Sequence, residues 1–286
     1  MSALSDRIKV IPQHFIPHHT LSGAMHWLTR IEATMFKNLF IKTFIRLYNV
    51  NMQEAQNPDP RSYKHFNEFF TRALQPNARP LAGGNNAVVS PVDGTVNQLG
   101  SIDGRRIFQA KGHHFDVIEL LGGSYEFAAP FLGGQFATLY LSPRDYHRIH
   151  APVRGVLHEM VYVPGRLFSV NDATTRLVPG LFARNERLVC LFNTEFGPMA
   201  LVMVGAIFVS SMETVFEGVI TPTREHAIRY WSYEESPHIF YKGQELGRFN
   251  MGSTVILLFG KGVEWNPALT AGMPIKMGQL LAQHKP

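Results

Sequence analysis

Between residues 21 and 50, apolar side chains recur at three- and four-residue steps, as Leu28, Ile31, Met35 and Leu39. Trp27, Phe36, Phe40, Phe44 and Leu47 widen that stripe and no proline interrupts it, so the spacing predicts an amphipathic helix over 21–50. Asn57-Pro58-Asp59-Pro60 breaks helical character, and residues 63–74 read as a second, short helix before Pro76 and Pro80. From Ala87 the texture changes to short β-branched runs between glycines and prolines. The runs predict strands over 87–90, 95–99, 106–110, 136–141, 156–163, 188–193, 199–204, 214–220, 254–259 and 279–283. Helices first and many short strands afterwards predict an α+β chain: a helical segment over 1–80, then a compact, mainly-β sandwich or barrel over 81–286.

Composition changes this picture little. Apolar residues make up 45% and charged residues 17% of the 286, which excludes general disorder. The uncharged stretch 196–212 contains Gly197, Pro198 and Gly205, so it reads as two buried strands and not as a spanning helix. The N-terminus shows no basic patch followed by an apolar core, so no signal peptide is expected. Cys190 is the single cysteine and sits in an apolar run, which suits a buried residue in a reducing compartment.

Charge is more informative. Residues 1–50 hold Arg7, Lys9, Arg30, Lys37, Lys42 and Arg46 against Asp6 and Glu32, and so supply +4 of the net +5. An aromatic-rich helix flanked by cations suits a lipid interface, with Trp27, Phe36, Phe40, Phe44, Lys37 and Lys42 as membrane contacts. A helix packed on its own domain explains the same pattern.

Three clusters carry candidate chemistry. Asp93 lies in Ser90-Pro91-Val92-Asp93-Gly94. His147 and His150 stand three apart in Ser142-Pro143-Arg144-Asp145-Tyr146-His147-Arg148-Ile149-His150. Gly252-Ser253-Thr254 immediately precedes an apolar strand. Singly they are ordinary: Asp before Gly caps turns, loop histidines are common on surfaces, and small residues start many strands. Together they are the parts of an activated serine, in which a His takes the hydroxyl proton and an Asp steadies the imidazolium. The glycine before Ser253 leaves the preceding carbonyl open to attack. Gly252-Ser253-Thr254 is not the strand–elbow–helix motif of serine hydrolases.

These motifs, with Phe66-Asn67-Glu68-Phe69-Phe70-Thr71-Arg72 and the run 242–249 leading into Gly252, make the chain resemble the pyruvoyl-dependent phosphatidylserine decarboxylases of bacteria over nearly its full length. One departure is Met251, where that family usually has Leu, a change of similar volume. The resemblance implies a zymogen that cuts itself between Gly252 and Ser253, giving a β chain of 1–252 and an α chain of 253–286. Ser253 would become a covalent pyruvoyl group, the cofactor, which forms a Schiff base with phosphatidylserine and leads to phosphatidylethanolamine and CO2. Ser253 would be the cleavage nucleophile, His150 its base and Asp93 the orienting carboxylate, while His147 would handle a proton in decarboxylation. The division between the two histidines is open, since each has equal access by sequence. No metal and no nucleic acid are expected; an α–β heterodimer is, with a dimer of heterodimers left open. The implied location is peripheral, on the cytoplasmic face of the bacterial inner membrane, with phosphatidylserine in an anionic bilayer as partner. Rival readings are a carrier domain around Ile275-Lys276-Met277, a serine hydrolase using Ser253, and a pyruvoyl decarboxylase of a soluble amino acid. The first two stay one intact chain, and the third leaves the basic aromatic segment without a purpose.

Overall fold

The computed structural model describes residues 3–207, 211–223, 227–251 and 254–285. Four helices open the chain: α1 (Ala3–Val10), α2 (His18–Leu28), α3 (Thr34–Tyr48) and the short α4 (Phe66–Phe70). The helix expected over 21–50 is therefore two helices. The break falls at Thr29, whose carbonyl accepts the Asn67 amide of α4 at 2.9 Å and so leaves the helical ladder. Asn49 ends α3 in the left-handed region at φ 52°, its amide donating to the Ile45 carbonyl. His65 caps α4, its ring nitrogen accepting the Glu68 amide at 3.1 Å.

Among the described residues the body is built from open antiparallel sheets, and these form no closed barrel. The largest sheet runs in the order Arg229–Ser232, Gly155–Val163, Arg187–Thr194, Gly197–Val204, Thr254–Phe259, Gln135–Tyr140, Gly94–Ser101 and Pro274–Ile275. Thr254–Phe259 lies in its middle, paired over all six residues with Gln135–Tyr140 on one side and with 199–204 on the other. All six side chains are buried, which explains the unbroken Val/Ile/Leu run in sequence. A smaller sheet orders Gly218–Val219, Met212–Thr214, Glu245–Phe249 and Arg148–His150. The strand expected over 214–220 is thus two short strands joined by a turn. A third sheet pairs Leu280–His284 between Ala87–Val89 and Val263–Trp265.

One core fills the sheets. A second, smaller core holds Ile41 and Phe44 of α3, Tyr63, and Phe66, Phe69 and Phe70 of α4, with Met251 packed against it. This second core corrects two membrane contacts. Phe44 is buried among Phe66, Phe69 and Phe70. Lys37 is 7% exposed, its ammonium donating to Asn38 and to the carbonyls of Arg61 and Tyr63. The helix turns those residues inward because an all-round apolar surface must bury one side, and three oxygens replace the water around the lysine. Phe40 is half-buried and stacked on Phe66 at 4.2 Å. Trp27, Phe36 and Lys42 are exposed.

Candidate functional site

Three non-local segments meet beside Met251 and Thr254. Gly252 and Ser253, the expected cleavage site, lie outside the described residues. Each flank is placed: Met251 against the second core, Thr254 between Tyr140 and Val204 in the large sheet.

The turn carrying Asp93 lies directly on the strand Gln135–Tyr140. A Cβ on Gly94 would stand 2.3 Å from the Tyr140 carbonyl oxygen, so only glycine lets the turn approach. Asp93 is 6% exposed and its carboxylate is fully engaged. Arg79 donates from Nε at 2.8 and 3.1 Å and from Nη2 at 2.5 Å, and the Met277 amide donates at 2.9 Å. Glu54 accepts from the same Nη2 of Arg79 at 2.5 Å and from Lys276 at 3.0 Å. This clasp joins residues near 54, 79, 93 and 276.

The histidine pair sits at the edge of the small sheet. His150 ends the strand Arg148–His150, and its amide donates to the Pro91 carbonyl at 2.9 Å, which brings it beside the Asp93 turn. Its Nδ1 lies 2.8 Å from the Gly243 carbonyl and its Nε2 3.0 Å from the Tyr146 hydroxyl. Among the described residues no hydrogen bond joins His150 to Asp93; the carboxylate acts on the ring through space. Burial holds the His150 ring below the usual histidine range.

His147 is fully buried, with the Phe70 ring 4.1 Å away. A carbonyl can only accept, so the contact of Nδ1 with the Asp145 carbonyl at 2.8 Å places the ring proton on Nδ1. Nε2 then carries a lone pair, with no partner among the described residues. Burial pushes the His147 ring down to about 3, so it is neutral at pH 7. Asp145 accepts Ser142 through amide and hydroxyl, both at 2.7 Å, yet burial still raises its carboxyl above the usual range.

Two cavities flank this loop. An apolar one of about 210 Å³ is lined by Phe44, Tyr48, Phe70, Tyr140, Ile207 and Met251. A polar one of about 150 Å³ is lined by Arg72, Arg79, Asp93, Asp145, Tyr146 and Lys276. Among the described residues no group of three His, Cys, Asp or Glu side chains is placed to hold a metal ion. One observation bears on the implied pyruvoyl group. The His147 Nε2 and the hydroxyl of Thr254, the next residue in sequence after 253, are buried polar atoms without partners among the described residues.

The structure thus brings Asp93, His147 and His150 to one place. Sequence reasoning missed Arg79, Tyr146 and Gly243. Tyr146 stood inside the histidine motif, four residues before His150, and carried a signal; Arg79, between Ala78 and Pro80, carried none.

The sequence model described as phosphatidylserine decarboxylase matches residues 66–283, and one described as PSD matches residues 8–49. Proteins named phosphatidylserine decarboxylase proenzyme are similar throughout. That of Pseudomonas aeruginosa (strain LESB58) is 54% identical over 286 residues, covering 99% of each chain. That of Stutzerimonas stutzeri (strain A1501) is 54% identical over 284 residues, covering 98% of this chain and 95% of its own. That of Pseudomonas putida (strain GB-1) is 54% identical over 283 residues, covering 98% and 99%.

Proposed function

The chain belongs to the phosphatidylserine decarboxylase family, and from that premise we propose that it is a zymogen which cuts itself between Gly252 and Ser253 and then decarboxylates phosphatidylserine at a membrane surface. The observation that carries the reading is the position of Thr254–Phe259. A chain beginning at residue 253 would enter, from Thr254 onward, the middle of the large sheet. Its later strands, Pro274–Ile275 and Leu280–His284, pair with residues of the upstream part, so 1–252 and 253–286 would remain one heterodimer after cleavage. Residues 1–80 would form the membrane-associating segment.

In cleavage, His150 accepts the Ser253 hydroxyl proton as the oxygen attacks the Gly252 carbonyl, and Asp93 favours the resulting imidazolium through space. The Gly252–Ser253 C–N bond breaks as the amine takes up a proton and the ester forms. Elimination then releases the Gly252 carboxylate and leaves dehydroalanine, whose imine tautomer water hydrolyses to the pyruvoyl group and ammonia. A pyruvoyl group on residue 253 would supply a carbonyl for the substrate amine and an electron sink for departing CO2. His147, neutral with its proton on Nδ1, must take up a proton at Nε2 before it can return one to the substrate. Phe70 and Phe44 keep water from the apolar side.

Membrane binding is supported by the outward faces of α2 and α3, where Trp27, Met35, Leu39 and Leu47 are between 67% and 89% exposed and Lys42 is exposed beside them. Among the described residues no helix is long and apolar enough to cross a bilayer. Denaturing electrophoresis with mass analysis tests the core of the reading. Two chains joined non-covalently, the smaller blocked by a pyruvoyl group, are expected; one intact chain with an ordinary Ser253 would overturn it. Ser253→Ala should abolish both cleavage and CO2 release.

A further inference from the structure

The carboxylate that sequence logic pairs with His150 is occupied elsewhere. Both Asp93 oxygens are taken by Arg79 and the Met277 amide, and this leaves His150 to other partners. Those partners are specific. The Gly243 carbonyl, in a turn that holds Gly243 at φ +83°, accepts from Nδ1–H and fixes the tautomer. The Tyr146 hydroxyl lies 3.0 Å from Nε2, the nitrogen that has to pick up a proton. Tyr146 is 6% exposed and its ring lies against the imidazole, 5.6 Å between centroids and 30° between planes.

We propose that Tyr146 is the positioning residue of His150, with a hydroxyl that bonds Nε2 before and after the proton transfer and yields the lone pair to the Ser253 hydroxyl during it. The inference rests on the reading of His150 as the base in self-cleavage. A phenol is suited to this place because it is donor and acceptor at once. Against neutral imidazole it donates to the Nε2 lone pair; as the Ser253 hydroxyl delivers its proton there, the phenol hydrogen turns away, and the phenol oxygen then accepts from Nε2–H. A carboxylate could do only the second and an arginine only the first. Burial raises the Tyr146 hydroxyl above its usual range, so it remains protonated and able to donate. The other groups facing the ring are Glu245 and Arg148 from the small sheet and Asp93 from the turn, and these charges oppose one another.

The reach of the claim is set by what phenylalanine at 146 would do. It preserves the ring contact and removes one hydrogen bond. The imidazolium, whose Nε2–H would be left bare in a buried site, suffers more than the neutral ring. A hydrogen bond to a charged group is worth about 10- to 100-fold in an equilibrium or rate.

The experiment follows self-cleavage of the full chain against pH for wild type and Tyr146→Phe. The variant is expected to cleave about 10- to 100-fold more slowly at its plateau, with the ascending limb of its pH profile moved to lower pH. An unmoved limb, whether the rate falls uniformly or not at all, overturns the proposal, because packing damage alone does not retitrate His150. Should Tyr146→Phe fail to mature, histidine nitrogen resonances of the uncleaved Ser253→Ala chain decide. With and without Tyr146→Phe, the proposal expects a proton on Nδ1 and a change confined to Nε2. A proton on Nε2 at neutral pH, or an Nε2 resonance indifferent to the substitution, overturns it. His150→Asn that cleaves at the wild-type rate would sink the base reading alone, while the nitrogen spectrum still reports on the Tyr146–His150 bond.

Discussion

A neutral histidine locked in a core makes folding stability depend on acid, and His147 is the clearest case. An unfolded histidine titrates near 6.5, whereas the folded ring is pushed down to about 3 by burial. Since the folded value lies below the unfolded one, the unfolded chain binds a proton that the native state refuses throughout that window. The stability His147 contributes is complete above pH 6.5 and is lost progressively as pH falls towards 3. Each pH unit in the window costs about 1.4 kcal/mol, so about 2 kcal/mol is lost by pH 5. His150, also lowered by burial, adds to the loss with the same sign. Urea unfolding of the Ser253→Ala chain at pH 7 and pH 5, with and without His147→Gln, isolates the His147 share. The histidine-containing protein should lose about 2 kcal/mol more than the glutamine variant between those pH values. Equal losses would mean that the ring is hydrated or charged in the native state, and that Nε2 is not the bare lone pair the site requires.

Other expectations follow from the packing. Arg79→Met leaves the Asp93 carboxylate buried with a single amide donor and should cost about 3–5 kcal/mol, while Arg79→Met with Asp93→Asn should cost less than the sum of the two single changes in urea unfolding; strict additivity would deny the clasp. Leu39→Ser with Leu47→Ser should weaken binding to vesicles containing anionic lipid by about tenfold or more without lowering the melting temperature, whereas Phe44→Ser should lower it; equal vesicle binding would move the membrane face elsewhere. Leu257→Ala, in the middle of the central strand, should destabilise by about 2–5 kcal/mol and release the 253–286 chain at lower urea than wild type; unchanged release would place the hold on that chain outside the strand.

Residues that act by burial were legible in the sequence, and residues that act by direction were not. Thr254–Phe259 announced itself as six residues without a charge, because a strand covered on both faces needs no alternation. The strand Arg148–His150 was hidden by its length and by the charges around it. The partner of Asp93 could not be read, since the carboxylate turns towards Arg79, fourteen positions upstream in a proline-flanked polar stretch, and not towards the nearby His150. In α3 the apolar stripe is wider than any one contact, so periodicity alone could not tell that Phe44 points in and Leu39 out. Lys37 misled for a different reason. Buried lysines are rare, and only the carbonyls of Arg61 and Tyr63, brought by a distant turn, make this one tolerable.

The two readings of α3, lipid surface or packed helix, concern different sides of one element, and burial speaks for the packed side. Met35, Leu39 and Leu47 face outward, while Phe44 and Tyr48 form a wall of the cavity that Met251 also lines. A helix with its side chains is only about 10–12 Å across, so the exposed face and the cavity wall are separated by one helix diameter. On the proposed function, that thickness is the distance a lipid headgroup must travel from the bilayer surface to this cavity. Acyl chains could stay in contact with apolar side chains along the way. The helix core that removed Phe44 and Lys37 from the membrane contacts therefore gives them a different use, holding the exposed apolar surface in fixed register with the histidine pair through α4, whose Phe70 touches both Phe44 and His147.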